Sequence, residues 1–480
     1  MQYDIRFLKT YHLHSIAEAF RFTPAAIAVL FTSCNLVGPD HSVPQSESAA
    51  SYKNDSAAYS SRMSKNWWLT FGDSKLNSLM LDIDQGNFDL RAAEARRNQA
   101  YAALGVDRSR LYPEVLSSGS VSRNRSSESD RGGMAAGMET YYTQYRVGMS
   151  LGYEVDLWGR VRRIVEAGTA NAEAAEVSVA QVKLSLQVQL ASSYFAMRFL
   201  DSEAEVLQSA LKTRQESLEL AKNLFEGGKS SELDVAKAEA QLANAKAQLV
   251  SLQGPRASFE NAISVLTGRN PSNFSISPSG INGNAPAISA GSPAQLLGRR
   301  PDVFIAERQL AATSAGIGIA KADFYPKFSL IGSGGLSSIN SSNFLKFSSS
   351  EFSAGPKVDL PLFQGLRRKA DYAAAIARHE EALAIYQQTV LTAFADVENA
   401  LAARRAAVRE ITALQHSVAA SKKAFELSNA RYKEGIASYL EVIDSQRELL
   451  TAERSEVQSR GRSFTATVQL MQALGGGFSE

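Results

Sequence analysis

Tyr145, Val147, Met149, Leu151, Tyr153 and Val155 alternate with Arg146, Gly148, Ser150, Gly152, Glu154 and Asp156. A period of two predicts a strand with one apolar and one polar face. The length suits a bilayer-crossing strand of ~9–11 residues. The run 113–124 alternates more weakly and predicts its partner, so a hairpin is expected over 113–157, with an exposed Ser/Gly/Met-rich loop near 125–140. The alternation returns later. Phe352, Ala354, Pro356, Val358, Leu360 and Leu362 fall on one face, and Glu351, Ser353, Gly355, Lys357, Asp359 and Pro361 on the other. With a partner at 326–336 that carries Phe328, Leu330 and Leu336, this predicts a second hairpin over 326–363. Pro356 is awkward there, because it removes a ladder donor. Half-buried strands of soluble proteins alternate too, so the pattern alone admits both environments.

A long helical pattern follows each hairpin, over 160–224 and 366–431. Neither stretch holds a proline, and Gly168 is the only glycine well inside. About 65 residues at 1.5 Å each give ~97 Å, far beyond an ordinary globular helix. Val390, Phe394, Val397, Leu401 and Val408 recur at heptad-like intervals, while alanine crowds 400–407. Small residues around most of the circumference suit a helix with neighbours on two sides. A tight turn ends each stretch (Glu226-Gly227-Gly228; Lys433-Glu434-Gly435), and returning helices are expected over 231–267 and 438–474. An earlier helical region begins with Leu76, Leu79 and Met80 and runs to about Leu104.

The second half therefore repeats the first. Leu220–Val235 aligns with Leu427–Val442, which pairs Phe225 with Tyr432, Gly228 with Gly435 and Ser231 with Ser438. Gly105 and Tyr112-Pro113 pair with Gly318 and Tyr325-Pro326, and Trp158 and Arg162-Arg163 with Phe363 and Arg367-Arg368. One supersecondary unit used twice points to a symmetric or ring-like object and not to a single enzyme pocket. The repeats are bounded at 63–267 and 299–474, with a Pro/Gly/Ser-rich linker at 268–298 and a tail at 475–480.

Composition narrows the picture. The net charge of +2 gives no reason to expect nucleic acid. No internal run reaches the ~18 apolar residues of a spanning helix, so any crossing must be made by strands. At the N-terminus Arg6, Lys9 and Arg21 precede the apolar run Phe22–Ser33, the layout of a signal peptide over 1–33. Cys34 follows as the only cysteine, which excludes a disulfide framework. Its place suits lipidation, and ordinary signal cleavage beside an incidental cysteine is the other reading. The polar residues up to 62 predict an extended tether. The five histidines show no ligand spacing, and no phosphate loop or zinc motif is present in the sequence. No enzyme is expected, and no cofactor beyond a covalent lipid on Cys34.

Four strands cannot close a barrel, and an open edge in lipid leaves backbone groups unpaired at several kcal/mol each. Other copies must complete the wall. Two would give about eight strands, whose interior is filled by side chains, and three about twelve, which leave a bore. A conduit favours three.

The residues Gly152-Tyr153-Glu154-Val155-Asp156-Leu157-Trp158-Gly159-Arg160-Val161-Arg162-Arg163 resemble the strand-to-helix signature of TolC-like outer-membrane efflux proteins, in the OprM/NodT-type lipoprotein branch. Cys34-Asn35-Leu36-Val37-Gly38-Pro39, Trp68 with Phe71, Asp73, Leu76 and Leu79, Arg299-Arg300-Pro301-Asp302-Val303, Ala322-Asp323-Phe324-Tyr325-Pro326 and Leu360-Pro361-Leu362-Phe363 support it. Phe31 before the cysteine and His41 depart from the usual pattern. The resemblance implies an α+β membrane protein: a homotrimer with a shared 12-stranded β-barrel, four strands per chain, continued by a long α-helical barrel. It implies a passive exit duct for small toxic molecules in a tripartite pump. Its partners would be a periplasmic adaptor, an inner-membrane transporter of the RND type and outer-membrane lipid. It also implies lipidation at Cys34, with Asn35 in place of the Asp that retains lipoproteins in the inner membrane.

By position the resemblance carries a periplasmic gate to Asp234, Leu440, Glu441, Asp444 and Arg447, and an adaptor contact to Gly227, Gly228, Lys229, Gly435 and Ile436. Bland roles compete. Ser231 with Asp234 and Ser438 with Glu441 each fit a capping box, and a carboxylate in a first turn meets the positive end of the helix dipole. Asp444 lies beyond that turn. The glycines at the apices could serve a helical turn and nothing more. Two further functions share these features: the outer-membrane duct of a type I protein secretion system, and a lipid-anchored periplasmic scaffold with no pore. The scaffold has no use for amphipathic hairpins.

Overall fold

A computed structural model describes residues 36–44, 51–53, 64–125, 141–281 and 283–478. The signal segment, Cys34, most of the tether and nearly all of the loop expected near 125–140 lie outside the described residues. The main elements are α1 (Ser74–Gly86), α2 (Phe88–Ser109), β1 (Glu114–Arg125), β2 (Tyr141–Val155), α3 (Arg160–Glu226), α4 (Glu232–Ser251), α5 (Gln253–Leu266), α6 (Pro301–Ala322), β3 (Lys327–Ser338), β4 (Ser350–Asp359), α7 (Arg367–Lys433) and α8 (Tyr439–Ala473). Both long helices have 67 residues. None of the described helices is long and apolar enough to cross a membrane.

The chain divides into two compact units, and each draws on both repeats. One holds residues 1–42, 102–170 and 311–381, and the other 43–101, 171–310 and 382–480. The first contains all four strands, in the antiparallel order β1-β2-β3-β4. Register makes the sheet two-faced. Gln144, Arg146, Gly148, Ser150, Gly152 and Glu154 of β2 share a face with Ser122, Ser120, Ser118 and Glu114 of β1. On that face β3 adds Ser333 and Ser329, and β4 adds Glu351, Ser353, Lys357 and Asp359. Val115, Val121, Val147, Met149, Leu151, Leu330, Phe352 and Val358 lie on the other face, and all are exposed. Leu116 and Ile331 are intruders on the polar face. Arg146 reaches Glu351 at 3.8 Å across Gly335, which has no side chain to intervene. Pro356 sits in β4 opposite Leu330 of β3 and donates no backbone bond to either side of the strand.

Three details differ from the sequence pattern. β4 stops at Asp359, so Leu360 and Leu362 do not join the ladder. Pro361 cannot donate, and the chain turns there toward Gly365 and Leu366, whose φ angles are +57° and +67°. The returning helix expected over 231–267 breaks between α4 and α5. Pro255 lacks the N–H that would continue α4, and Leu252 N bonds three residues back to Leu249 O. The repeat pairing around the second strands shifts by two. α3 and α7 begin at Arg160 and Arg367, each directly after a residue with positive φ, so Arg160 pairs with Arg367 and Trp158 with Gly365.

At the first strand-to-helix junction, Asp156 caps α3 by accepting from Val161 N at 3.0 Å and Arg162 N at 2.9 Å. Arg160 forks onto Glu154 at 2.9 and 2.6 Å, a charge-assisted pair of bonds. Trp158 stacks on Tyr325 with ring centres 4.8 Å apart, and its Nε1 donates to Pro326 O at 2.8 Å. Residues 36–40 lie against this junction. Val37 N bonds Trp158 O, Leu36 touches Gly159, and Asp40 accepts from the buried Arg163 at 2.7 Å. Burial alone would lower the Arg163 pKa, but bonds to Asp40 and Glu166 outweigh it and raise it.

In the second unit both repeats build a shared core. Trp67, Leu76, Met80, Leu190, Tyr194, Phe195, Ile263, Phe464 and Val468 pack together. Asp73 caps α1 through Lys75 N and Leu76 N, and its other oxygen accepts from the Tyr194 hydroxyl at 2.7 Å. Arg300 is buried, bonded to Asp302 and Asp396 and to Ala473 O, which ties α6 to α7 and α8. The linker 268–298 is not loose, since Ile276 and Ala290 are buried in these cores.

Gly159 has φ +78° and its missing Cβ would lie 3.0 Å from Leu36. Gly159→Ala is expected to cost ~1–3 kcal/mol through backbone strain and displacement of residues 36–40. Thermal unfolding and protease cleavage near residue 40 would check this. An unchanged melting temperature with no new cleavage would contradict it.

Candidate gate and adaptor site

Both turns that join long and returning helices lie in the second unit, and they use one backbone device. Lys229 N bonds Leu224 O at 2.7 Å and Gly228 N bonds Phe225 O at 2.9 Å. In the second repeat Ile436 N bonds Arg431 O at 2.9 Å and Gly435 N bonds Tyr432 O at 3.0 Å. These close the helix C-termini with a left-handed glycine, at φ +70° for Gly228 and +77° for Gly435. Gly227, Gly228, Lys229, Gly435 and Ile436, the adaptor candidates, are all exposed.

The gate candidates separate into two groups. Asp234 and Glu441 act as caps. Ser231 N donates to Asp234 Oδ2 at 3.5 Å, and Asp234 N to Ser231 Oγ at 3.3 Å. Ser438 N donates to Glu441 Oε1 at 3.3 Å. Asp234 also accepts from Ser230 Oγ at 3.0 Å. A capping role leaves Glu441 exposed while Asp234 is half-buried, so the two carboxylates are not equivalent.

Leu440, Asp444 and Arg447 form the second group. They fall at helical spacing along one exposed stripe of α8, while Tyr439, Val442, Ile443, Gln446 and Leu450 make the buried stripe. Arg447 pairs with Asp444 of its own chain at 3.8 Å. Both are exposed, so this pair adds little stability. The matching positions of α4 are Leu233, Lys237 and Ala240, so only the second repeat presents an acid there. The exposed leucine occurs in both repeats.

Beneath these stripes the two helical hairpins share a core of Leu218, Ala221, Ala238, Leu242, Tyr432, Tyr439, Val442 and Ile443. The Tyr432 and Tyr439 rings lie 5.2 Å apart, and the Tyr432 hydroxyl reaches Ser230 Oγ at 3.4 Å. Gln446 bonds Ser217 at 2.8 Å, linking α8 to α3. Arg214 is buried and donates to Gln241 O at 2.9 Å, and burial lowers its pKa. Sequence reasoning missed this polar layer. Its one available signal was the pair of tyrosines seven residues apart around the second turn, where the first repeat has Phe225 and Glu232. Among the described residues no cluster could hold a metal ion.

Comparison with known proteins places this geometry. A family model described as outer membrane efflux protein matches residues 80–269 and 292–476. The solvent efflux pump outer membrane protein SrpC of Pseudomonas putida is 31% identical over 474 residues, which cover 96% of this chain and 99% of that protein. Among solved structures, the outer-membrane channel OprN superposes with a TM-score of 0.86 at 32% identity, covering 92% of this chain and 99% of OprN. The CmeC outer membrane channel of Campylobacter jejuni gives 0.85 at 26% identity, covering 93% of this chain and 96% of CmeC.

Burial pushes the Tyr439 phenol from 10.0 up to about 12, with Tyr432 adding to the rise. The neutral phenol is the form that the fold holds. Its contribution to stability is therefore complete below pH 10.0 and is lost as pH rises through about 12. Tyr439→Phe is expected to unfold less steeply over that window than the parent chain. Helical circular dichroism against pH measures it, and parallel curves would contradict the buried phenol.

Proposed function

The chain belongs to the outer membrane efflux protein family and serves as the outer-membrane exit duct of an efflux pump, and on that premise we propose that it works as a homotrimer whose three sheets share one wall around a water-filled bore. The observation that carries this reading is the sheet of the first unit, with one polar face, one exposed apolar face and two edges unpaired within the chain. In lipid those edges need partners. The face with Arg146, Glu351 and Lys357 would line water, and the face with Val147, Met149 and Phe352 would meet lipid tails.

A pump of this kind is an assembly with an adaptor and an inner-membrane transporter. We assign the transporter to the RND type on the family resemblance carried by the strand-to-helix signature; the relative SrpC is named for a solvent efflux pump. By the same relative, small apolar toxic compounds are the proposed cargo. The duct is passive and the transporter supplies the energy. The exposed apices Gly227, Gly228, Lys229, Gly435 and Ile436 are the adaptor contact. Glycine there lets a partner backbone come close. Cys34 carries a lipid that anchors the chain to the outer membrane.

Closure falls to the exposed stripe of α8, with Leu440 as the apolar constriction and Asp444 as an acidic ring in three copies. Repulsion among three carboxylates is relieved by bound cations and by Arg447. Glu441 and Asp234 contribute charge at the mouth while they cap their helices.

Leu440→Ala combined with Asp444→Ala is expected to raise single-channel conductance severalfold in planar bilayers and to abolish block by divalent cations. Conductance and block both unchanged would remove the gate from this stripe. Separately, Cys34→Ser is expected to abolish incorporation of labelled fatty acid. Retained label would refute the anchor assignment.

A further inference from the structure

The internal repeat fixes more than a likeness between halves. α3 and α7 start 207 residues apart, at 160 and 367, and end 207 apart, at 226 and 433. β1 and β3 start 213 apart, at 114 and 327. The hairpin registers test these two offsets independently. Glu114 faces Gly152 in the first hairpin, and moving them by 213 and 207 gives Lys327 and Asp359, which face one another in the second. The two hairpins thus share one pairing register, although β2 is the longer strand with 15 residues against 10 in β4.

The chain also contains one joint between hairpins, where β2 meets β3. Its copy would join β4 to a β1 that the same chain cannot supply, because β1 and β4 are opposite edges of the sheet. Resting on the shared-wall reading above, we infer that β4 pairs with β1 of the next copy in the register obtained by moving the β2–β3 joint through the same two offsets. Ser150 facing Ser333 becomes Lys357 facing Ser120. Tyr145 facing Ser338 becomes Phe352 facing Arg125, and Gly152 facing Ile331 becomes Asp359 facing Ser118.

Three observations support the transfer. First, it preserves the faces: Lys357 and Asp359 on the polar face meet serines of the polar face, and Phe352 and Val358 stay on the apolar face. A shift by one residue would turn every side chain of the added strand to the wrong face. Second, no like charges are set opposite one another, an arrangement that would destabilise a seam. Third, apolar and aromatic side chains stand uncovered at both open edges. Tyr325 beside β3 is covered by Trp158, whereas its repeat counterpart Tyr112 beside β1 is 70% exposed. Leu362 and Phe363 beyond β4 are 90% and 88% exposed. Aromatic and aliphatic surface left at both edges fits a joint completed by a second copy of this chain.

The test uses cysteine pairs in the full-length protein, purified from membranes and oxidised. Ser150→Cys with Ser333→Cys is the control, since it is the inner-joint original of the proposed pair and closes within one chain. Lys357→Cys with Ser120→Cys is expected to give covalent trimers on a non-reducing gel, several times more than Lys357→Cys with Ser118→Cys or with Ser122→Cys. Trimers strongest with Ser118→Cys or Ser122→Cys would overturn the register and leave the shared wall standing. Closure of the control with no intermolecular product from any of the three pairs would overturn both the register and the shared wall.

Discussion

A backbone N–H or C=O in hydrocarbon must be bonded, and this rule governs the rest of the molecule. Inside the chain β2 and β3 satisfy it on both sides, while β1 and β4 satisfy it on one. Everything that makes the sheet suited to a bilayer makes it unsuited to solitude. Its apolar face has no core to cover it, and its polar face carries both signs of charge. In the proposed assembly, repeating a hairpin once per chain and the chain several times around an axis would be a short route to a closed wall, because one joint geometry would serve at every seam.

The same economy appears at the turns, where duplication was followed by divergence. Both turns keep the left-handed glycine and the serine cap. Only the second repeat has the two tyrosines and the acid on the outer stripe of its returning helix. The backbone device is shared because helix termini everywhere need their orphan groups bonded.

Much of this architecture was legible in the sequence, and for physical reasons. Period two over Tyr145–Asp156 and an unbroken, proline-free run after Arg160 are long signals, and the structure follows both. Local exceptions were harder to read. The break at Pro255 and the early end of β4 before Pro361 depend on one missing donor each, which a periodic pattern averages away. The pairing of Trp158 with Phe363 looked right as aromatic matched to aromatic, yet backbone angles at Gly159 and Leu366 decide it otherwise. In the candidate site, the exposed stripe followed from helical spacing, whereas the buried layer of Tyr432, Tyr439 and Arg214 joins residues more than two hundred apart that no local pattern connects.

The placement of residues 36–40 against the first strand-to-helix junction has a consequence for the lipid anchor proposed at Cys34. Leu36 is held at Gly159, which leaves a leash of two residues, at most about 7 Å when fully extended. Acyl chains carried on so short a mooring would enter the leaflet beside that junction and not out in open bilayer. They would then join the annular lipid next to the sheet.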